Sequence, residues 1–247
     1  MADQTRTDIK TAGGGTFTGG TYGDVTFNGS GTMNGDVDAL TYRINGAGTS
    51  NGRVKAQSIT VNGTASFNGE VQSNEFTVNG DANIRDGAGI GQLAVKGNLS
   101  VGGGVSAHEV ELKGFLRIGG DCQAEQFTGE GGFNVAGLLN AGNIDVMVHA
   151  PSTAREIGGE RIVIRQPGGS IASFTGLLTI WAEKRLTAET IEADTVWLEN
   201  TTAKVVRGKS VTVGNGCVVD LVEYADSYTP AGTAQVKEAR QVSGAGA

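Results

Sequence analysis

Hydrophobic residues recur along this chain at a fixed interval. One series of positions in steps of 17 carries Phe27, Ile44, Val61, Val78, Val95, Leu112 and Val146, with Gly129 filling the remaining step. A glycine follows two residues after seven successive members of the series, from Gly29 to Gly131. Self-similarity at a fixed period of this length is typical of solenoid proteins.

Within one period the apolar positions form three pairs with i, i+2 spacing. In the period around Val61, the pairs are Ile59 with Val61, Ala65 with Phe67, and Val71 with Ser73. Such spacing places both members of a pair on one face of a β-strand. The intervals between pairs are four, four and three residues, which suit corners and are too short for a helix.

Glycines occupy the first two of these corners, where we expect a sharp turn with positive φ. Each period therefore predicts three short strands and three corners, which together form a triangular coil. Each strand then pairs in parallel with its copy one period later, about 4.8 Å away. The predicted fold class is an all-β triangular parallel β-solenoid with a 17-residue rung.

The pattern divides the chain into five segments. Residues 21–150 form the regular solenoid, and residues 151–176 read as a loop or an irregular rung. Over 177–225 the i, i+2 pairs return with shifting spacing, beginning with Leu177 and Thr179. We interpret this segment as a second, irregular solenoid section, with a separate small β module as the alternative. Residues 1–20 and 226–247 are polar, small and aperiodic, and we expect disordered tails there.

Composition and charge narrow the function classes. The chain has 19 basic and 26 acidic residues, a net charge of −7, which argues against a nucleic-acid-binding surface. Its start has no apolar core typical of a secretory signal, and no run of 18 apolar residues occurs. Two cysteines far apart in sequence fit a reducing cytosol, so we expect a cytoplasmic protein.

Enzymatic chemistry finds little support in the pattern. A hexapeptide acyltransferase would need a histidine as general base, and the chain offers His108 and His149. We expect both to be solvated, and the 17-residue rung departs by one residue from the 18-residue coil of those enzymes. An acyltransferase therefore remains the least favoured reading.

The carboxylates and thiols of the sequence do not indicate a catalytic or metal site either. The acidic residues of the regular segment do not recur at one rung position in neighbouring coils. They include Glu70, Asp81, Glu109, Glu111, Asp121 and Glu125. Cys122 and Cys217 read as core residues without metal-ligand spacing. We therefore predict no enzyme, no cofactor and no metal.

Open strand edges at the ends of a solenoid pair with other chains unless they are capped. From the first and last strong apolar runs we predict a polymerisation interface at Tyr22, Val25, Phe27, Val219, Leu221 and Tyr224. The two tryptophans, Trp181 and Trp197, fall in the irregular section. Trp197 should face away from the core, and we consider both as a partner surface.

The glycine-punctuated rung, Val61-Asn62-Gly63 through Gly69-Glu70-Val71, resembles the bactofilins, a bacterial family of polymer-forming cytoskeletal proteins. The resemblance covers residues 20–150 well and the remainder more loosely. Thr190 to Asp194, together with Glu199 to Gly208, resembles longer bactofilin-like proteins of bacilli.

This resemblance implies a right-handed triangular β-helix and nucleotide-independent filaments in the bacterial cytoplasm. The family's roles include scaffolding of cell-wall enzymes, cell shape, polarity and motility. Partners would be further copies of the chain, a second bactofilin, and cell-wall or motility proteins. The usual core is about half this length, and Met1 to Lys10 lacks the hydrophobic membrane anchor of some members, so we expect no direct membrane binding. The alternative is an adaptor that co-assembles with another bactofilin without polymerising alone.

Overall fold

The computed structural model describes residues 6–167 and 185–242, and its regular structure there is entirely β. The chain forms two compact units, residues 1–125 and residues 126–247. The described residues contain no helix that could cross a membrane.

Twelve strands belong to the first unit. They are β1 (Thr7–Thr11), β2 (Gly14–Phe27), β3 (Ser30–Ile44), β4 (Ala47–Ser50), β5 (Val54–Val61), β6 (Thr64–Phe67), β7 (Val71–Val78), β8 (Asp81–Ile84), β9 (Ala88–Val95), β10 (Asn98–Val101), β11 (Val105–Leu112) and β12 (Phe115–Ile118). The second unit takes in most of β13 (Cys122–Val148), then β14 (Ser152–Arg165), β15 (Leu186–Leu198), β16 (Thr201–Val213), β17 (Val218–Pro230) and β18 (Gln235–Gln241).

Parallel pairing at the predicted period builds the first unit. In the long strands, Val37 pairs with Val54 and Val54 pairs with Val71, each one predicted period further along the chain. In the short strands, Ala65 pairs with Ala82, and Ala82 with Leu99, at the same step. The predicted all-β parallel solenoid with a 17-residue rung is therefore confirmed.

The third predicted corner does not separate two strands. Strands β5, β7, β9 and β11 each run for eight residues through that corner, so a regular rung contains two hydrogen-bonded segments. Pairing of Ala39 with Ala56 is followed by pairing of Thr41 with Ser58. Leu40, at the corner itself, is 38% exposed. The register of the ladder is the same on both sides of this corner.

Aromatic side chains contact one another in the N-terminal part of the first unit's core, which is otherwise aliphatic. The ring centroids of Phe27 and Tyr42 are 5.8 Å apart, and those of Phe67 and Phe76 are 5.9 Å apart, both in edge-to-face contact. Tyr42 is fully buried, and its hydroxyl group forms a 2.8 Å hydrogen bond with the buried Ser50 hydroxyl. The phenol's polar atom is thereby satisfied in an otherwise apolar interior.

Close stacking, and not positive φ, explains the column of corner glycines. A Cβ added to Gly63 would lie 2.0 Å from the carbonyl oxygen of Gly46, one rung earlier, and one on Gly80 would lie 2.0 Å from the oxygen of Gly63. Neither glycine has a positive φ; among the described glycines of the first unit, positive φ occurs at Gly35. The expectation of positive φ at these corners is therefore wrong for most of the column, because the neighbouring rung's backbone fills the space of a side chain.

Asparagines beside these glycines form a hydrogen-bonded ladder. The Nδ2 atoms of Asn45, Asn62 and Asn79 each donate to the Oδ1 atom of the asparagine one rung earlier, at 2.7 Å. A second ladder links Asn68, Asn51 and Asn34 in the same direction. These side-chain amides therefore satisfy one another from rung to rung along the corner.

The second unit is also a parallel solenoid, with rungs of unequal length. One column runs through the buried residues Leu139, Ile157, Ile191, Val206 and Val222 and ends at the exposed Ala239, so the interval in residue number changes from one rung to the next. The segment 186–225 therefore stacks on β13 and β14 in parallel, and the alternative of a separate β module is wrong. Residues Ser152–Arg165 form a rung and not a loop, while Leu177, Thr179 and Trp181 lie outside the described residues.

Strands also occupy much of the predicted tails. Residues Thr7–Thr11 and the start of β2 lie in the first expected tail, and the end of β17 and all of β18 lie in the second. Disorder is thus the wrong expectation for these residues; residues 1–5 and 243–247 lie outside the described part of the chain. Backbone pairing with the adjacent rung does not require apolar side chains, and Ile9 and Val236 are the apolar residues that pair with the buried Val25 and Val219.

The glycine column makes a prediction about stability. Gly63→Ala should destabilise the protein by about 1–3 kcal/mol, because its methyl group collides with backbone that cannot move independently. Gly89→Ala is the matched control, since a Cβ there meets nothing within 4 Å. Urea unfolding followed by circular dichroism measures both. Equal midpoints for the two variants would contradict the steric explanation.

Candidate functional site

Two strand edges lie open at the ends of the described chain. Strand β1 pairs with β2 from Tyr22 onward, whereas residues 14–20 of β2 find their partner in β3 alone among the described residues. Strand β18 pairs with β17 over Gln235 to Gln241, and the described residues provide no further rung beyond it. Unpaired N–H and C=O groups along such edges are a template for adding another strand.

The residues predicted to form the N-terminal interface lie one rung inside this edge. Phe27 pairs with Thr11 on one side and with Ile44 on the other, and both Phe27 and Val25 are fully buried. Tyr22 is partly buried, and its hydroxyl donates to the carbonyl oxygen of Thr18 at 2.7 Å. Val25 and Phe27 therefore cannot form an end contact, because β1 already covers them.

The same correction applies at the C-terminal end. Val219 is fully buried between Ala203 and Val236, and Leu221 and Tyr224 pair with residues of β18. The sequence pattern missed β1 and β18 because each contributes a single clear apolar residue. A weaker signal was present: Val236 follows Val219 by one full period, and Ile9 precedes Val25 by one position less than a period.

Charged side chains form two columns of alternating sign on the second unit. The first charge column consists of Glu189, Lys204, Asp220 and Lys237 on strands β15 to β18. The Lys204 ammonium lies 2.8 Å from Glu189, and the Lys237 ammonium lies 2.6 Å from Asp220. Lys204 holds the pKa of Glu189 below its usual range through this hydrogen bond.

The second charge column lies three residues further along the same strands and consists of Glu192, Arg207, Glu223 and Arg240. The Arg207 guanidinium lies 3.6 Å from Glu192 and 2.5 Å from Glu223. The Arg240 Nε atom donates to Glu223 at 3.0 Å. Hydrogen bonds from Arg207 and then Arg240 hold the pKa of Glu223 below its ordinary value. Both columns were missed in the sequence because the rungs of this unit differ in length, so the columns do not follow a fixed period.

Neither histidine lies in a built cleft. His108 Nδ1 is 3.1 Å from Glu125 Oε1, and His149 Nε2 is 3.5 Å from Glu130 Oε2. The four side chains are all 40% exposed or more, so these are solvated pairs. The expectation that both histidines are solvated is confirmed.

Both thiols lie in the core, as predicted. Cys122 is fully buried, and burial raises the pKa of its thiol to about 12. Burial also raises the pKa of Cys217, whose Sγ atom lies 3.4 Å from the carbonyl oxygen of Leu198. Neither sulfur is available as a thiolate nucleophile near neutral pH.

One groove brings together carboxylates that the sequence scattered. Glu70, Asp86 and Asp121 line an open groove of about 570 Å³, in which Gly87 and Gly104 leave room between them. Glu70 and Asp121 occupy the same rung position three coils apart. Within the described residues, no three His, Cys, Asp or Glu side chains are arranged to hold a metal ion.

Trp197 presents its side chain to solvent on strand β15. It pairs with Val163 and Thr212 through the backbone, and it is 40% exposed. The predicted outward orientation is confirmed, and a docking role for this residue stays a prediction. Trp181 lies outside the described residues.

Comparison with known proteins gives partial relatives without a function. No family model and no solved structure matches the chain. The uncharacterized protein YhbE of Bacillus subtilis (strain 168) is 40% identical over 96 residues, which are 38% of this chain and 39% of YhbE. The uncharacterized protein YhbF of the same organism is 38% identical over 103 residues, 41% of this chain and 40% of YhbF. The chain thus matches about two fifths of the length of each relative.

The buried thiols make a prediction about reactivity. At pH 8 the folded protein should react with a chromogenic thiol reagent far more slowly than free cysteine, since the pKa of each thiol is raised by burial. The same protein in denaturing urea should release two equivalents of colour per chain. Rapid labelling of a thiol without denaturant would contradict the packing of that cysteine.

Proposed function

We propose that this chain is a structural scaffold that assembles end to end into filaments without a nucleotide, as its resemblance to the bactofilins implies. The observation that carries the proposal is the pair of open edges, at residues 14–20 of β2 and along β18. A parallel strand added to either edge would continue the same hydrogen-bonded stacking. Such a contact is heterologous, and a heterologous contact that does not close on itself produces an open filament.

The inward-facing residues of the two edges are compatible with such a junction. Phe17 on β2 stacks on Phe27 with centroids 5.7 Å apart and is partly buried, in contrast to the fully buried Phe27. Val236 on β18 is also partly buried. Placing Val236 of one copy over Phe17 of the next would remove both apolar side chains from water. Burial of this kind is the main favourable term in association.

A second candidate function is an adaptor that joins another solenoid protein and does not polymerise alone. Lys237 and Arg240 favour it, because they leave two cations at the open edge of β18. In a head-to-tail junction that sets Val236 over Phe17, they would face Thr18 and Thr21 of the next copy, which offer no counter-charge. A partner with acidic residues at these positions would fit better than a second copy.

For either function we propose a cytoplasmic location and partners among cell-wall or motility proteins. The net charge of −7 disfavours nucleic acid and an anionic membrane surface as partners. We propose no enzymatic activity, because the exposed histidines and open grooves lack a preorganised pocket.

Assembly can be tested on the purified chain without nucleotide. Negative-stain microscopy and sedimentation should show filaments, and Phe17→Asp or Val236→Asp should reduce the sedimenting fraction severalfold, because each places a carboxylate in the junction. Gln57→Asp is the matched control, since this side chain is exposed on an internal rung.

The outcomes separate the two candidates. Filaments that form normally from both edge variants would refute the end-to-end junction. A chain that stays monomeric alone but enters filaments of a second solenoid protein would favour the adaptor. Circular dichroism confirms that each variant keeps its β structure, so that loss of assembly is not loss of folding.

A further inference from the structure

The two charge columns follow a strict rule from strand to strand. At these positions β15 carries two acids, β16 two bases, β17 two acids and β18 two bases, always with i, i+3 spacing. Equal charges directly opposite each other on paired strands repel, and opposite charges attract. The alternation therefore allows each strand to be followed only by one of opposite sign at these two positions.

The alternation is complete from β15 to β18 and ends at the open edge of β18. Arg207 lies between two acids, with Glu192 at 3.6 Å and Glu223 at 2.5 Å. Arg240 and Lys237 have their acids on the β17 side, at Glu223 and Asp220. Their side chains are 55% and 75% exposed. The next rung in the series would carry two carboxylates.

We propose that the open edge of β18 binds an extended acidic strand of a second protein, in parallel, with carboxylates spaced i, i+3 over Lys237 and Arg240. The proposal rests on the openness of this edge, as the proposed function does. Main-chain hydrogen bonds would supply affinity and the two charges would supply register, which is the general mode of β-strand addition.

The chain's own acidic strands define the sequence that this edge accepts. Strand β15 reads Ala188-Glu189-Thr190-Ile191-Glu192 and β17 reads Val219-Asp220-Leu221-Val222-Glu223. In both, small or aliphatic residues before the first acid and before the second are buried in the core. The expected motif is therefore a small or aliphatic residue, an acid, a neutral residue, an aliphatic residue and an acid.

A second copy of this chain is a poor source of that strand. Acidic pairs with i, i+3 spacing occur in the full sequence at 189 and 192, at 220 and 223, and at 223 and 226. The first two pairs lie in parts of β15 and β17 that are already paired on both edges, and the third shares Glu223 with the second. A second β18 strand carries two cations and a single carboxylate, so it does not offer the pair of carboxylates that this edge requires. The favoured occupant is consequently a different protein, which would compete with self-stacking at this end.

The edge can be tested with a labelled peptide that has the sequence of residues 186–198. Fluorescence anisotropy should show it binding the full-length protein, and a peptide with E189Q and E192Q should bind at least about tenfold more weakly. On the protein side, K237E with R240E should abolish binding of the acidic peptide. The same variant should instead bind a peptide with E189K and E192K. R43E with K96E is the matched control, because it changes the net charge equally at exposed positions of the first unit.

Arg240 also pairs with Glu223, so the milder K237Q with R240Q variant tests whether any loss reflects local unfolding. It should bind the acidic and neutral peptides equally while keeping the native circular dichroism spectrum. Equal binding of all peptides to the wild-type protein, or no binding of any peptide, would overturn the proposal.

These results are independent of filament formation. Filaments without peptide binding would leave the scaffold function standing and remove the acidic partner. Peptide binding by a chain that never assembles would support the acidic partner and refute the scaffold function. If the chain both forms filaments and binds the peptide, the acidic peptide should shorten the filaments and the neutral peptide should not.

Discussion

Backbone hydrogen bonding between successive rungs is the constraint on which the rest of this protein depends. It sets each residue beside its counterpart one rung away, at about the 4.8 Å spacing of paired strands. Residues at the same position of successive rungs therefore form a column, and each side chain in a column must be compatible with the side chains directly above and below it. The requirement extends from the hydrophobic core to the glycine corners and the charged surface.

Polar columns meet this requirement in two ways. An amide can repeat, since an asparagine inside the ladder donates to the one before it and accepts from the one after it. A charge cannot repeat, because like charges in adjacent strands repel. The first unit uses asparagine columns, as at Asn45 and Asn62, while the second alternates acids and bases, as at Glu192 and Arg207. An amide column has the same residue type at every rung, whereas a charge column makes successive rungs alternately acidic and basic at that position.

Most of the fold was predictable because the 17-residue series maps directly onto stacked positions such as Ile59 and Phe76. The features that the hydrophobic pattern did not predict depend on contacts between neighbouring rungs. The end rungs have too few apolar residues to show the 17-residue pattern. Glycine is required at position 63 because a carbonyl oxygen of the neighbouring rung occupies the space of a side chain. The charge columns were hidden because rungs of unequal length replace the fixed period there. Of the candidate site, the outward Trp197 and the buried cysteines were predicted, while the open edges were placed one rung too far inside.

The asparagine ladder also bears on the chemical ageing of the protein. Asn-Gly is a dipeptide prone to deamidation, in which the glycine nitrogen attacks the side-chain amide of the asparagine before it. Here the nitrogens of Gly46, Gly63 and Gly80 donate to carbonyl oxygens of the preceding rung, and the asparagine amides are held by their neighbours. Attack requires both restraints to break at once. The rate at which these asparagines become aspartate therefore depends on how often neighbouring rungs separate, so the extent of deamidation measures that separation over time.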